Sequence, residues 1–112
     1  MSLNDKNFFG RACLYNKKIN GFLLGRKIDD FFELISIFIT PKLRNKGIGG
    51  QMIESCKNFC RKMMLNEIII EVNDKNMVGK EFYLKNKFCF FGKRKKYYEV
   101  REEKIDACLM KL

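Results

Sequence analysis

The sequence predicts a mixed α/β fold in the order β-β-β-α-β-α-β-β, and three observations carry that expectation. Short runs rich in β-branched and aromatic residues, with turn residues between them, fill 11–15, 19–27 and 31–40. Apolar residues then switch to helical spacing over 49–65. A compact run, "EIIIEV" at 67–72, closes a strand–helix–strand unit, which implies parallel strands joined by a right-handed crossover. The leading strands imply antiparallel hairpins, so the sheet is expected to be mixed. At 112 residues, a single domain over 1–112 is expected.

Each element has its own reason. "RACLY" (11–15) is short and strand-like, and "NKK" after it reads as a tight turn. "INGFLLGRK" (19–27) is a second strand and "DD" (29–30) a second turn. "FFELISIFIT" (31–40) is almost wholly apolar, the pattern of a strand buried on both faces, and Pro41 ends it because proline cannot donate to a ladder. From Gly49 to Leu65, Met52, Ile53, Cys56, Phe59, Cys60, Met63 and Met64 form one apolar stripe, an amphipathic helix of about four turns. The "EIIIEV" run reads as a central strand. "NDKN" (73–76) offers a cap for a helix over about 77–86, with Val78, Phe82 and Leu84 among its apolar members. Two strand candidates, 88–98 and 104–112, close the chain.

Composition narrows the function classes. A net charge of +10 suits an anionic partner, or else a solvated lysine excess in a chain that is also rich in Ile, Asn and Phe. No apolar stretch approaches the roughly 20 residues of a membrane span, and the N-terminus lacks a secretory pattern, so a cytoplasmic protein is expected. Met1-Ser2-Leu3 reads equally as native or as an expression scar. The five cysteines (Cys13, Cys56, Cys60, Cys89, Cys108) are an odd count without a close CxxC pair, read as reduced thiols packed as small hydrophobes. With no histidine, no metal site is expected.

The stretch "RNKGIGGQMI" (44–53) carries the chemistry. A glycine-rich turn between a strand and a helix can hold an anion, because the first helical N–H groups lack partners and the dipole adds partial positive charge. A P-loop would need Lys-Ser/Thr after its second glycine, and a dinucleotide fingerprint a glycine at position 52; Gln51 and Met52 stand there instead. Arg44-x-x-Gly47-x-Gly49 fits another pattern. It resembles the acetyl-CoA pyrophosphate loop of the GCN5-related N-acetyltransferases (GNAT). "EVNDKNMVGKEFYLKNKF" (71–88) is similar to the family's strand-end Glu followed by Asn-x-x-Ala-x-x-Leu-Tyr and Gly-Phe, with Asn76, Gly79, Phe82, Tyr83 and Phe88 in the matching places. Glu71 and Tyr83, twelve apart, and the tail "RKKYYEVREEKIDACLMKL" resemble the bacterial ribosomal-protein alanine N-acetyltransferases.

That resemblance implies a GNAT-like fold and an acetyl-CoA-dependent N-acetyltransferase without a metal. Arg44, Asn45, Lys46, Gly47, Ile48, Gly49 and Gly50 would bind the pyrophosphate, the edge of Ile37, Phe38 and Ile39 the pantetheine arm, and Asn76 the reactive end. Glu71 would be the general base, buried at the end of its strand, and Tyr83 the acid that protonates the leaving sulfur. The acceptor would be a protein N-terminus, such as that of a ribosomal protein, attacked directly in a ternary complex. Other readings stay open: Glu71 as a strand-end carboxylate paired with a lysine, Tyr83 as a core ring, Arg44 as a solvated charge. The segment "KRKKYY" (93–98) is either an exposed strand face, an RNA grip, or a wall of the acceptor groove with Tyr97 and Tyr98. An inactive RNA- or ribosome-binding module is the alternative function.

Two departures stand out. Lys87 occupies the place of the family's helix-end glycine, and Asn86 is expected to take over its left-handed conformation. Family domains also open with a strand and helix that this sequence lacks, so a homodimer completing the sheet edge is a further expectation.

Overall fold

The structure, a computed structural model, describes residues 7–100 and 103–112, with side chains for 7–95 and 105–112. The chain divides into two compact units, Met1–Ile68 and Ile69–Leu112. The first holds strands β1 (Phe8–Tyr15), β2 (Lys18–Ile28) and β3 (Phe31–Ile39), then helix α1 (Ile48–Met63). Both strand junctions are antiparallel two-residue turns. Asn16 and Lys17 have φ of 51° and 62° and join Tyr15 to its partner Lys18. Positive φ at both central residues matches the right-handed twist of the flanking strands. Asp29 (φ 51°) opens the second turn, across which Ile28 pairs with Phe31.

The first strand begins at Phe8 rather than at residue 11. Its register with β2 is continuous there, and the buried Phe9 ring lies 4.6 Å from Phe59 and 6.2 Å from Phe32. Phe59 brings α1 to this cluster, its ring also 5.6 Å from Phe32. Met52, Ile53, Cys56 and Cys60 bury the rest of the helix stripe. Burial of Met52 and Ile53 contributes about 1.5–3 kcal/mol each. Met64 leaves the stripe, 84% exposed, because the helix has already ended and φ of 57° turns it outward.

The expectation that 31–40 is buried on both faces is wrong. Phe32 and Leu34 are buried, but Ile35 and Phe38 are 38% and 44% exposed. Phe38 instead stacks against exposed Phe22, ring centres 6.2 Å apart. The run is apolar throughout, and α1 reaches only the side that carries Phe32.

The second unit contains β4 (Glu67–Asn73, which begins just before it), α2 (Met77–Lys85), β5 (Cys89–Val100) and β6 (Glu103–Lys111). Within it β6 runs between β4 and β5, antiparallel to both. Ala107, Cys108 and Met110 on β6 are buried, as are Ile70 and Val72 on β4. Two of the apolar members of the short helix α2 lie outward: Val78 and Leu84 are 71% and 47% exposed, and Tyr83 is its buried residue. That ring makes edge contacts with Phe82 and Phe88, both at 5.2 Å.

The left-handed residue after α2 is Lys87, at φ 74°, and not Asn86, whose φ is −93°. Asn86 instead donates its side-chain amide to Phe82 O (2.9 Å), while Phe88 N donates to Tyr83 O (2.9 Å). The return bond from Phe88 demands the reversal one residue before it, which is Lys87. A non-glycine residue held there pays about 1–2 kcal/mol. Lys87→Gly is therefore expected to stabilise the protein by about 1 kcal/mol, raising the midpoint of thermal unfolding by about 4 °C; an unchanged midpoint would show that Lys87 carries no strain.

Candidate active site

The loop after β3 begins with one turn of 3-10 helix (Pro41–Leu43) and passes two left-handed residues, Asn45 (φ 61°) and Gly47 (φ 80°). Gly47 is the N-cap of α1. A Cβ there would meet nothing within 4 Å, so backbone conformation rather than space requires the glycine. The cap has no side-chain bond and the first turn no acidic residue. The N–H groups of Ile48, Gly49 and Gly50 therefore present their donors at the positive end of a 16-residue helix. Gly49 and Gly50 lie within the helix without positive φ, so the turn itself does not require glycine at either place.

Arg44 donates its Nε to Ile39 O (2.8 Å), and its guanidinium lies 5.8 Å from the centre of the Phe38 ring. One donor is thus spent tying the loop to the end of β3. Thr40 N donates to Asn20 O (2.8 Å), which sets the alternation of the ladder. Two residues back, the peptide groups of Phe38 face β2 and its partner Phe22, while those of Ile37 and Ile39 face the other way. The predicted edge of three residues is therefore an edge of two, with Phe38 contributing only its exposed ring.

In the second unit, Glu71 is a third exposed and not buried as expected. Both its carboxylate oxygens accept from Arg94 Nη1, at 3.0 and 3.3 Å. The partner is an arginine from β5, not the lysine of the alternative reading. Three residues on, Asp74 gathers a second group: Cys108 Sγ donates to Oδ1 at 2.7 Å, Lys80 Nζ meets Oδ1 at 2.7 Å, and Lys93 Nζ lies 3.6 Å from Oδ2. These residues line a cavity of about 610 Å³ with Phe90, Phe91 and Gly92. The thiol hydrogen bond, and then Lys80, pull the Asp74 carboxyl down to about 2.

A bulge arranges both groups. Phe90 pairs with Met110, but Gly92 already pairs with Leu109 and Lys93 with Cys108, leaving Phe91 as the extra residue. Lys93 thereby shares a face with Cys108, and Arg94 the opposite face with Ala107. The sequence offered an exposed strand face, an RNA grip or a groove wall for this run of cations; alternation would have split Lys93 from Arg94, but only the bulge decides which carboxylate each one meets. Tyr97 and Tyr98 lie on β5, and their side chains fall outside the described residues.

Asn76 caps α2 by accepting from Gly79 N at 2.9 Å. Its oxygen is engaged by the helix, and the amide N–H₂ takes no part in that cap. Burial pushes the Tyr83 phenol above its ordinary value, so its proton stays on at neutral pH. Cys56, Cys60 and Cys108 are buried free thiols, Cys13 is half-buried and Cys89 exposed. Among the described residues no cluster of His, Cys, Asp or Glu has the make-up of a metal site, and no helix is long and apolar enough to cross a membrane.

The sequence matches the model of the acetyltransferase (GNAT) family over residues 2–88. The chain belongs to that family. As a GNAT protein it is an acetyltransferase, of a family that draws its acetyl group from acetyl-CoA. Solved structures agree on the GNAT fold. The ribosomal-protein-S18-alanine N-acetyltransferase of Escherichia coli superposes with a TM-score of 0.83 at 21% identity, over 97% of this chain and 70% of that one. The ribosomal-protein-alanine N-acetyltransferase of Brucella melitensis gives 0.83 at 16% identity, over 98% and 71%. A Bacillus anthracis protein assigned as a streptothricin acetyltransferase, solved with acetyl coenzyme A, gives 0.89 at 23% identity, over 97% and 64%. The chain thus spans 64% to 71% of the length of these three neighbours. No curated protein sequence matches it.

The depressed Asp74 carboxyl makes a prediction about acid. A carboxyl lowered from 3.8 to about 2 on folding contributes stability above pH 3.8 that is lost as pH falls toward 2. Asp74→Asn is expected to flatten the fall in denaturant midpoint between pH 4 and 2. An Asp74→Asn profile parallel to the parent's would refute the pairing.

Proposed function

We propose that this GNAT protein transfers acetyl from acetyl-CoA to the N-terminal amino group of a protein, a ribosomal protein being the leading acceptor. The observation that carries the acetyl-CoA part is the bare N-terminus of α1, with left-handed Gly47 and no side chain occupying the cradle. Ile48, Gly49 and Gly50 N–H would hold the pyrophosphate, with Arg44, Asn45 and Lys46 beside it. The outward peptide groups of Ile37 and Ile39 would receive the pantetheine amides, and the Asn76 amide would meet the arm near its reactive end. Acetyl-CoA, when bound, supplies an activated acyl thioester.

The proton work falls to two side chains. Glu71 takes the proton that the acceptor ammonium must lose before its nitrogen can form the new N–C bond. As the C–S bond breaks, Tyr83 Oη gives its proton to the sulfur, and burial of the ring keeps that proton available at neutral pH. Three of the five cysteines are buried and the chain has no histidine to activate a thiol, which supports direct attack over an acyl-cysteine route. Two neighbours that act on ribosomal-protein alanine, together with the Glu71–Tyr83 spacing, support the protein acceptor.

Two outcomes are expected. Glu71→Gln and Tyr83→Phe should each lower kcat by about 100-fold in an assay of acetyl-CoA against a panel of N-terminal peptides, with acetyl-CoA affinity nearly unchanged. Parent-rate transfer by both variants would remove the proton assignment, and background rates across the whole panel would favour a binding module. Gly47→Val should weaken acetyl-CoA binding by at least tenfold in calorimetry, since a β-branched residue resists the left-handed conformation that opens the cradle; undiminished binding would place the cofactor elsewhere.

A further inference from the structure

Resting on the reading of Glu71 as the base, we propose that Arg94 is its positioning residue. One guanidinium nitrogen bridges both carboxylate oxygens, at 3.0 and 3.3 Å. A carboxylate on a strand has free rotation about its last torsion in water; a donor shared between both oxygens holds its plane. Each oxygen keeps a second lone pair, so the proton can still arrive.

The backbone is arranged for this reach. Glu71 and Arg94 stand on β4 and β5, with β6 between them. Two strand spacings are about 10 Å, too far for shorter side chains to meet. The residue of β6 directly opposite Arg94 is Ala107, fully buried, whose single methyl takes up little room between the two side chains. The bulge at Phe91 sets Arg94 on that face, and the residue directly across from Glu71 through Leu109 is Gly92, which has no side chain to compete. Phe91, Gly92, Arg94 and Ala107 thus work together.

Charge adds a second effect. The acceptor amine arrives as an ammonium, and a fixed guanidinium beside the base disfavours that form at the site. With Arg94 in place the pair is neutral, so the site does not trap a cation that must shed its proton.

The test is a double-mutant cycle on the whole chain, read as kcat and KM separately. Arg94→Ala should lower kcat about tenfold without changing the KM for acetyl-CoA, and Arg94→Lys about threefold. Millimolar guanidinium, far below denaturing concentrations, should restore part of the Arg94→Ala rate in a saturable way. In a Glu71→Gln background, Arg94→Ala should cost nothing further, because it acts through the carboxylate. A full tenfold loss in that background, or no guanidinium rescue, would overturn the proposal. Should Glu71→Gln be impaired while Arg94→Ala transfers at the parent rate, the Arg94 proposal fails alone. If Glu71→Gln itself transfers at the parent rate, the reading beneath it fails first. Arg94 is exposed, so Arg94→Ala is expected to fold, and matching circular dichroism spectra check that.

Discussion

Pairing of β6 along both its edges is the constraint on which the second half of the chain depends. A strand bonded to β4 on one side and β5 on the other cannot slip without breaking two ladders. Once its register is set, Glu71 and Val72 must point to opposite faces, and so must Lys93 and Arg94. Both faces of β6 are covered, Ile105 and Ala107 on one and Cys108 and Met110 on the other, so a slip would exchange whole buried rows. The placement of the charged groups is a consequence of burying apolar ones.

The first half works by omission. Most helices finish their N-terminus with a Ser, Thr, Asp or Asn side chain that satisfies one orphan donor. Glycine in that place costs only a few tenths of a kcal/mol relative to the better caps. An aspartate would instead bring its own carboxylate to the place where a phosphate would bind. The stability surrendered is small, and what it leaves is a helix N-terminus with no side-chain cap and no acidic residue in its first turn.

Legibility follows the range of the interactions involved. The order of elements could be read because β-branched runs, helical spacing and turn residues are local signals, and the glycine-rich turn before α1 was readable for the same reason. What failed was longer in range. Phe38 and Ile35 are as apolar as the rest of β3, so composition could not say that one side of it stays open. Val78 and Leu84 are apolar, yet a nine-residue helix with one buried residue has little face to bury. Glu71 was expected to be enclosed, and meets instead an arginine 23 residues away that no local pattern pairs with it. The left-handed residue after α2 moved by one because a backbone bond from Phe88, not side-chain preference, decides it.

The extra residue at Phe91 makes this region sensitive to length more than to chemistry. Substituting one aromatic for another there keeps the count and therefore the faces. Gaining a single codon before Gly92, with the bulge still one residue long, would rotate everything beyond it by half a turn of the pleat, sending Lys93 toward Glu71's side and Arg94 toward Asp74's. Both carboxylates would still lie near a cation, so net charge would barely register the change, while the planar fork and the point charge would have traded places. In a lineage of such chains, gaps in an alignment at this position would divide active sites more sharply than any exchange of residue type.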